Sequence, residues 1–255
     1  MEPSGAADVT VWLVDLGRSA VVLDAFAAAT GCLAADDVAR AGTAADAGLR
    51  AERLRAYTAL RWALERRLGS ACRGVAFARG PEGKPWLPGA DVAFNLSHTA
   101  GAALIAVGGA GDVGVDIESD RRVGIAARYR DGIVAAGLGL VPGPAGRVIA
   151  AEAAPDAAFL QAWARLEAFA KARGVGVARI LTDLGLRGPA AGADRTAAEV
   201  AGQARRLLAA HGLCVTDLVV PNGFQAAFAG PARLDGPAPV PFPVDWPSLV
   251  GPLRI

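Results

Sequence analysis

Cysteine is scarce, with Cys32, Cys72 and Cys214 the only three among 255 residues. They are odd in number, far apart and form no C-x-x-C pair. Neither a disulfide framework nor a zinc site is indicated, and buried free thiols are expected. An excess of charge of one sign is also missing: 26 basic and 25 acidic residues leave a net charge of +1. That balance argues against a general nucleic-acid or membrane-surface binder. Long apolar runs are absent too, because Asp24 interrupts the stretch from Val21 to Ala29 and glycines interrupt the one after Leu104. No segment is long enough to span a bilayer. The opening Met1-Glu2-Pro3-Ser4-Gly5 lacks the basic region and apolar core of a signal peptide, so a soluble cytoplasmic protein is expected. No internal repeat is visible in the letters. No G-x-S-x-G elbow occurs, which argues against Ser97-His98 as a hydrolase pair, since neighbours on a strand point to opposite faces.

What is present is enough apolar residue to fold. Hydrophobic residues make up 53% and charged ones 20%, the composition of a globule with one large core or two modest ones. Residues 9–16 read as a strand and 25–41 as an Ala-rich helical region. Residues 49–68 read as an amphipathic helix, with Leu54, Tyr57, Leu60 or Arg61, Leu64 and Leu68 recurring at three and four. Its polar positions are strongly basic. A rigid turn-rich loop over 80–89 precedes strand-like pieces at 92–97, 102–107 and 113–118. Residues 119–156 are weakly patterned. A helix over 159–173, a strand-like 177–184, a helix over 194–211 and strands at 213–220 and 224–229 follow, the last two joined at Pro221-Asn222-Gly223 as a hairpin candidate. Residues 231–255 hold seven of the 16 prolines and read as an extended surface segment rather than a domain.

The chemistry centres on Gly114-Val115-Asp116-Ile117-Glu118. On a strand, Asp116 and Glu118 share a face while Val115 and Ile117 turn to the other. Two hard oxygen donors on one face suit Mg²⁺, with Mn²⁺ as an alternative. About 50 residues on, Glu167 and Lys171 stand four apart on one helix face, in Trp163-Ala164-Arg165-Leu166-Glu167-Ala168-Phe169-Ala170-Lys171. Residues 109–114 match G-x-G-x-x-G, but a dinucleotide-binding turn must open a helix and a strand follows here. A hairpin turn is expected instead.

At these residues the sequence resembles the 4′-phosphopantetheinyl transferases of the surfactin-synthetase-activating type. Their strand reads G-[IV]-D-x-E and their helix W-x-x-K-E-A-x-x-K, with a spacer of similar length. Gly83-Lys84-Pro85 and Asn95-Leu96-Ser97-His98 match two further motifs in the expected order. Leu166 departs, standing where the family usually has lysine. The resemblance implies an α+β fold of two similar halves related by a pseudo-two-fold axis: residues 1–110, contributing to coenzyme A binding, and 111–230, with the metal site, followed by the 231–255 tail. It implies Asp116, Glu118 and Glu167 as Mg²⁺ ligands, with Glu167 and Lys171 catalytic. It implies Lys84, Pro85, Ser97 and His98 as coenzyme A contacts, with Arg40, Arg53 and Arg61 as candidates for its 3′-phosphate. The implied substrates are coenzyme A and an apo acyl or peptidyl carrier protein, and a monomer is expected, with no nucleic-acid or membrane partner. The alternative is a non-catalytic or weakened relative that binds coenzyme A or the carrier. Leu166 is expected to pack into the protein, with Arg165 supplying a compensating cation at the cleft edge.

Overall fold

A computed structural model of the chain describes residues 9–109, 111–141, 154–188, 195–231, 234 and 238–250. The first part of the chain runs β1 (Thr10–Asp15), α1 (Ala20–Thr30), α2 (Ala35–Gly42), α3 (Ala47–Leu68), β2 (Ala78–Arg79), β3 (Pro85–Trp86), β4 (Ala93–Thr99) and β5 (Ala102–Gly108). The second runs β6 (Gly114–Ser119), α4 (Ala127–Leu140), α5 (Pro155–Arg173), α6 (Val177–Asp183), α7 (Ala197–Ala210), β7 (Cys214–Asp217) and β8 (Phe224–Gly230), then β9 (Val240–Pro241) and α8 (Trp246–Val250). This is a mixed α+β fold with small sheets in the orders β4-β5-β1-β9 and β6-β8-β7, besides the short β2-β3 pair.

Three apolar clusters stack these elements into helix, sheet, sheet and helix layers. One face of β1 and β5 (Trp12, Val14, Ile105, Val107) packs under α1 and α3. Their other face (Val11, Leu104, Ala106) meets Val113, Val115, Ile117, Ala226 and Phe228 of the second sheet. The far side of that sheet (Val215, Ala227, Ala229) lies against α4, α5 and α7. Covered on both faces, β5 is buried along its whole length, which is why Ala102 to Val107 reads as an unbroken apolar run.

Several expectations are corrected. Residues 177–183 form a helix, not a strand; Val177, Ile180, Leu181 and Leu184 recur at three and four, the spacing of a helix face. The 25–41 region is two helices, parted at Gly31, whose φ of 59° ends α1 in a left-handed cap. The weakly patterned stretch contains α4. The hairpin expected between β5 and β6 is not formed, because the two strands belong to different sheets. The described part of the tail is not simply laid on the surface: β9 pairs with β1, Phe242 and Leu249 are buried, and Leu249 O accepts from Trp62 Nε1 at 2.8 Å. Cys32 and Cys72 are buried free thiols, whereas Cys214 is half-buried. No helix among the described residues is long and apolar enough to cross a membrane.

Candidate functional site

The site forms where the edge strands β4 and β6 of two different sheets run side by side, with α5 packed on β6 and β8 and its Lys171 reaching over to Ser97 of β4. An edge strand leaves N–H groups without ladder partners, and these need acceptors when buried. Asn95 and Ser97 meet that need: Val115 N donates to Asn95 Oδ1 at 2.9 Å and Ile117 N to Ser97 Oγ at 3.4 Å. The two-residue spacing of Asn95 and Ser97 matches the two-residue repeat of the free N–H groups on β6. Asn95, given no role by its motif at the sequence level, thus helps to join the two sheets.

Asp116 projects from β6 to the α5 side, opposite Val115 and Ile117, as the strand alternation predicts. Only 4% exposed, its Oδ1 accepts from Lys171 Nζ at 2.6 Å and from Ser97 Oγ at 2.8 Å. Lys171 Nζ also lies 3.0 Å from Ser97 Oγ and 3.3 Å from Val115 O. Asp116 Oδ2 is buried without a hydrogen-bond partner, a costly state for a carboxylate oxygen. Glu118, next on the same face, pairs with Arg121 at 2.5 Å.

Glu167 sits one turn before Lys171 on α5. Pro155 in the first turn and the left-handed Gly174 bound the helix, and Lys171 and Arg173 fall in its last turn, where cations suit the helix dipole. Burial pushes the Glu167 carboxyl above the ordinary glutamate range; the charges of Asp116 and Glu118 push the same way, and Lys171 opposes them. The three acids of the two signature segments therefore share one electrostatic neighbourhood. Among the described residues, no three His, Cys, Asp or Glu side chains are grouped so as to hold a metal ion. The donor chemistry still fits a hard divalent cation: all three candidates offer carboxylate oxygens, and Asp116 has one that nothing satisfies.

The expected coenzyme A contacts divide. Lys84 Nζ donates to Ala172 O at 2.5 Å and lies 3.2 Å from Asp112 Oδ1. With Pro85 it lines a half-open hollow of about 410 Å³ that also touches Trp86, Phe94 and Gly174. Ser97 is buried and committed to Asp116 and Lys171, while His98, its neighbour on β4, is exposed. Protein around the imidazole removes enough hydration to lower its pKa, and the positive charges of Arg53 and Lys171 add to that effect. Arg53 also reaches Thr43 Oγ1 at 3.1 Å.

Arg40 is exposed beside Asp36 at 3.6 Å. Its charge also helps to depress Arg79, after desolvation. Arg79, missed at the sequence level, donates to Gly83 O at 3.0 Å and so braces the loop that carries Lys84. Its place five residues before Lys84 on the same hairpin was the available signal. Arg61 is not at the cleft. It is 2% exposed, with Nε 2.8 Å from Asp37 Oδ2, Nη1 2.6 Å from Val75 O and its guanidinium 3.7 Å from the centre of the Phe77 ring.

Leu166 is fully buried in the α5 core, as expected of its place three residues from both Trp163 and Phe169. Arg165 is not a cleft cation. It is 2% exposed and forks onto Asp217, with Nε to Oδ1 at 2.8 Å and Nη2 to Oδ2 at 2.7 Å. Lys84 and Lys171 are the only lysines in the sequence, and both end at this junction of β4, β6 and α5. No family model and no curated protein matches the sequence.

Proposed function

We propose that the chain transfers the 4′-phosphopantetheine arm of coenzyme A to a serine of an apo acyl or peptidyl carrier protein, with Mg²⁺, releasing adenosine 3′,5′-bisphosphate. The observation that carries this reading is the meeting of two segments distant in sequence: Lys171 Nζ of α5 lies 2.6 Å from Asp116 of β6, 55 residues earlier, with Glu167 within electrostatic reach of Asp116 and Glu118. Two similar halves belong to the same proposal. In support, each main sheet joins its opening strand, β1 or β6, antiparallel to the second strand of a later hairpin, β4-β5 or β7-β8.

The reaction asks little covalent chemistry of the protein. The serine oxygen attacks the phosphorus bearing the pantetheine arm, and the P–O bond to the adenosine-bearing phosphate breaks, its electron pair leaving with the bisphosphate. Glu167, whose carboxyl burial holds above the ordinary glutamate range, is the base candidate for the serine proton. Asp116, Glu118 and Glu167 would hold the divalent cation, and Lys171 would turn from Asp116 toward phosphate oxygens. When bound, the cation offsets the negative charge of the pyrophosphate during displacement. Lys84, His98, Arg53 and Arg40 supply cations or imidazole for the phosphates at the coenzyme A end.

An apolar hollow of about 580 Å³ lined by Arg121, Ile125, Tyr129, Ile133, Phe159 and Trp163 adjoins Glu118 through the Arg121 pair. It offers the carrier an apolar landing surface with a cationic edge. Incubation with coenzyme A, Mg²⁺ and apo carrier proteins, followed by mass spectrometry, tests the reading. A phosphopantetheine-sized gain on the carrier is expected; coenzyme A binding without any gain on acyl or peptidyl carriers would replace it with the weakened-relative alternative.

A further inference from the structure

Asp217 on β7 pairs with Ala227 on β8, and Ala227 pairs with Asp116 on β6. The three residues form one row across the sheet, and residues opposite one another in a ladder project to the same face. Asp116 and Asp217 therefore face α5 together, two strand spacings or about 9.6 Å apart. Each holds a cation from that helix: Lys171 on Asp116 and Arg165 on Asp217. Arg165 and Lys171 are separated by about 9 Å of helical rise.

Gln161, one turn before Arg165, completes the second anchor, with Nε2 3.0 Å from Asp217 Oδ1 and 3.1 Å from Ala226 O. Gln161, Arg165 and Asp217 are all at least nine-tenths buried. Burying this ion pair has a desolvation cost that an apolar pair would avoid. What the forked, hydrogen-bonded pair supplies in return is direction. A slip of α5 by one residue would turn it by about 100° and take both cations off their partners.

We infer that Asp217, acting through Arg165 and Gln161, is a positioning residue that fixes the register of α5 and so aims Glu167 and Lys171 at Asp116. The catalytic side of this inference rests on the transferase reading; its metal-binding side does not. The test uses two full-length variants, Arg165→Lys, which keeps the charge but loses the planar fork, and Arg165→Met with Asp217→Leu, which replaces the pair with apolar side chains. Each is measured for thermal unfolding, Mn²⁺ affinity by electron paramagnetic resonance, coenzyme A affinity by calorimetry, and kcat for carrier modification.

Folded variants are expected to lose about 10- to 100-fold in Mn²⁺ affinity and in kcat, as when outer partners of a metal site are removed. Coenzyme A affinity should fall less than Mn²⁺ affinity, since His98, Arg53 and Arg40 lie off α5, whereas Lys171 is on that helix and Lys84 is tied to its Ala172 O. A folded double variant with wild-type Mn²⁺ affinity and kcat would overturn the inference. So would loss of a cooperative melt in both variants, because the pair would then serve the fold as a whole, and so would failure of the wild-type chain to bind Mn²⁺. A wild-type chain that binds Mn²⁺ in an Arg165-dependent way but modifies no carrier would remove the transferase reading and leave the positioning role standing.

Discussion

Gly114 opens the acidic strand, and a single added methyl group there tests how closely α5 is seated on β6. Its φ is outside the left-handed region, so glycine is not required by backbone conformation. It is required by contact: a Cβ at this position would stand 2.1 Å from Ala168 O, 2.5 Å from Ala172 N and 3.1 Å from Ala172 Cα. All three are backbone atoms of α5, and none can swing aside as a side-chain tip would. To restore an ordinary contact of 3.4 Å to Ala168 O the helix must withdraw by about 1.3 Å. If that motion is directed straight off the strand, the 2.6 Å Lys171–Asp116 contact opens toward about 3.9 Å.

Gly114→Ala should therefore destabilise by about 1–3 kcal/mol, the range for overpacking a close-packed interior. It should slow transfer about 100-fold, the scale of a 1 Å misplacement of reacting groups. The sign is informative, because relieving a glycine inside a strand is otherwise stabilising by about 0.5–1 kcal/mol. Gly42→Ala on α2, where a Cβ would meet nothing within 4 Å, is the control and should not destabilise. Urea unfolding and carrier modification measure both effects. A Gly114→Ala protein as stable and active as wild type would refute the close seating of α5.

Asp116→Ala should abolish transfer and, unlike a change at an open cleft wall, also cost stability, because it strips a buried partner from Lys171 and Ser97; near-normal turnover would defeat the acidic-site reading. Glu167→Gln should remove activity yet stabilise the fold. A carboxyl whose pKa is raised in the native state favours folding when protonated, so its contribution is lost as pH climbs from the ordinary glutamate range through the raised value. The Tm advantage of Glu167→Gln should accordingly be present at neutral pH and vanish below the ordinary glutamate range; an advantage confined to low pH would refute this sign. Leu166→Ala should cost about 2–5 kcal/mol, as for buried leucines, whereas Leu166→Lys, which forces a charge into a fully buried position, should destabilise without raising transfer. A many-fold gain in transfer by Leu166→Lys would mark the natural chain as a weakened enzyme.

The strand alternation around Asp116 was legible because period two divides carboxylates from valine and isoleucine, and the structure divides them the same way. The α3 and α5 helices were legible from their apolar spacing. What could not be read was which strand lies beside which. The run 109–114 looks like a turn, but whether the chain there folds back or crosses to a second sheet depends on packing between Leu104, Ala106, Val115 and Phe228, which local spacing does not contain. Residues 177–183 were misread although the helical signal was present: Val177, Ile180, Leu181 and Leu184 stand at i, i+3, i+4 and i+7, and all four meet the same core. Asp194, where the 194–211 helix was expected to begin, lies outside the described residues; the described helix starts at Ala197 behind a Thr196–Glu199 capping box.

The fates of the basic residues were the hardest to read, and charge alone explains why. Arg61 falls four residues after Tyr57 on the apolar stripe of α3, and Arg165 one turn after Gln161 on the sheet side of α5; both are buried against an aspartate. A guanidinium is planar, weakly hydrated and able to grip a carboxylate with two parallel bonds, so burial with a partner suits it. An ammonium is a compact, strongly hydrated charge on a flexible stem, better placed where it can change partners. Lys84 and Lys171 remain partly accessible, whereas these two arginines are locked in place. In an arginine-rich chain the rare lysine is therefore the sharper pointer to the cleft, and an arginine on an apolar stripe points to a buried acid that must be sought elsewhere in the sequence, as Asp37 and Asp217 show.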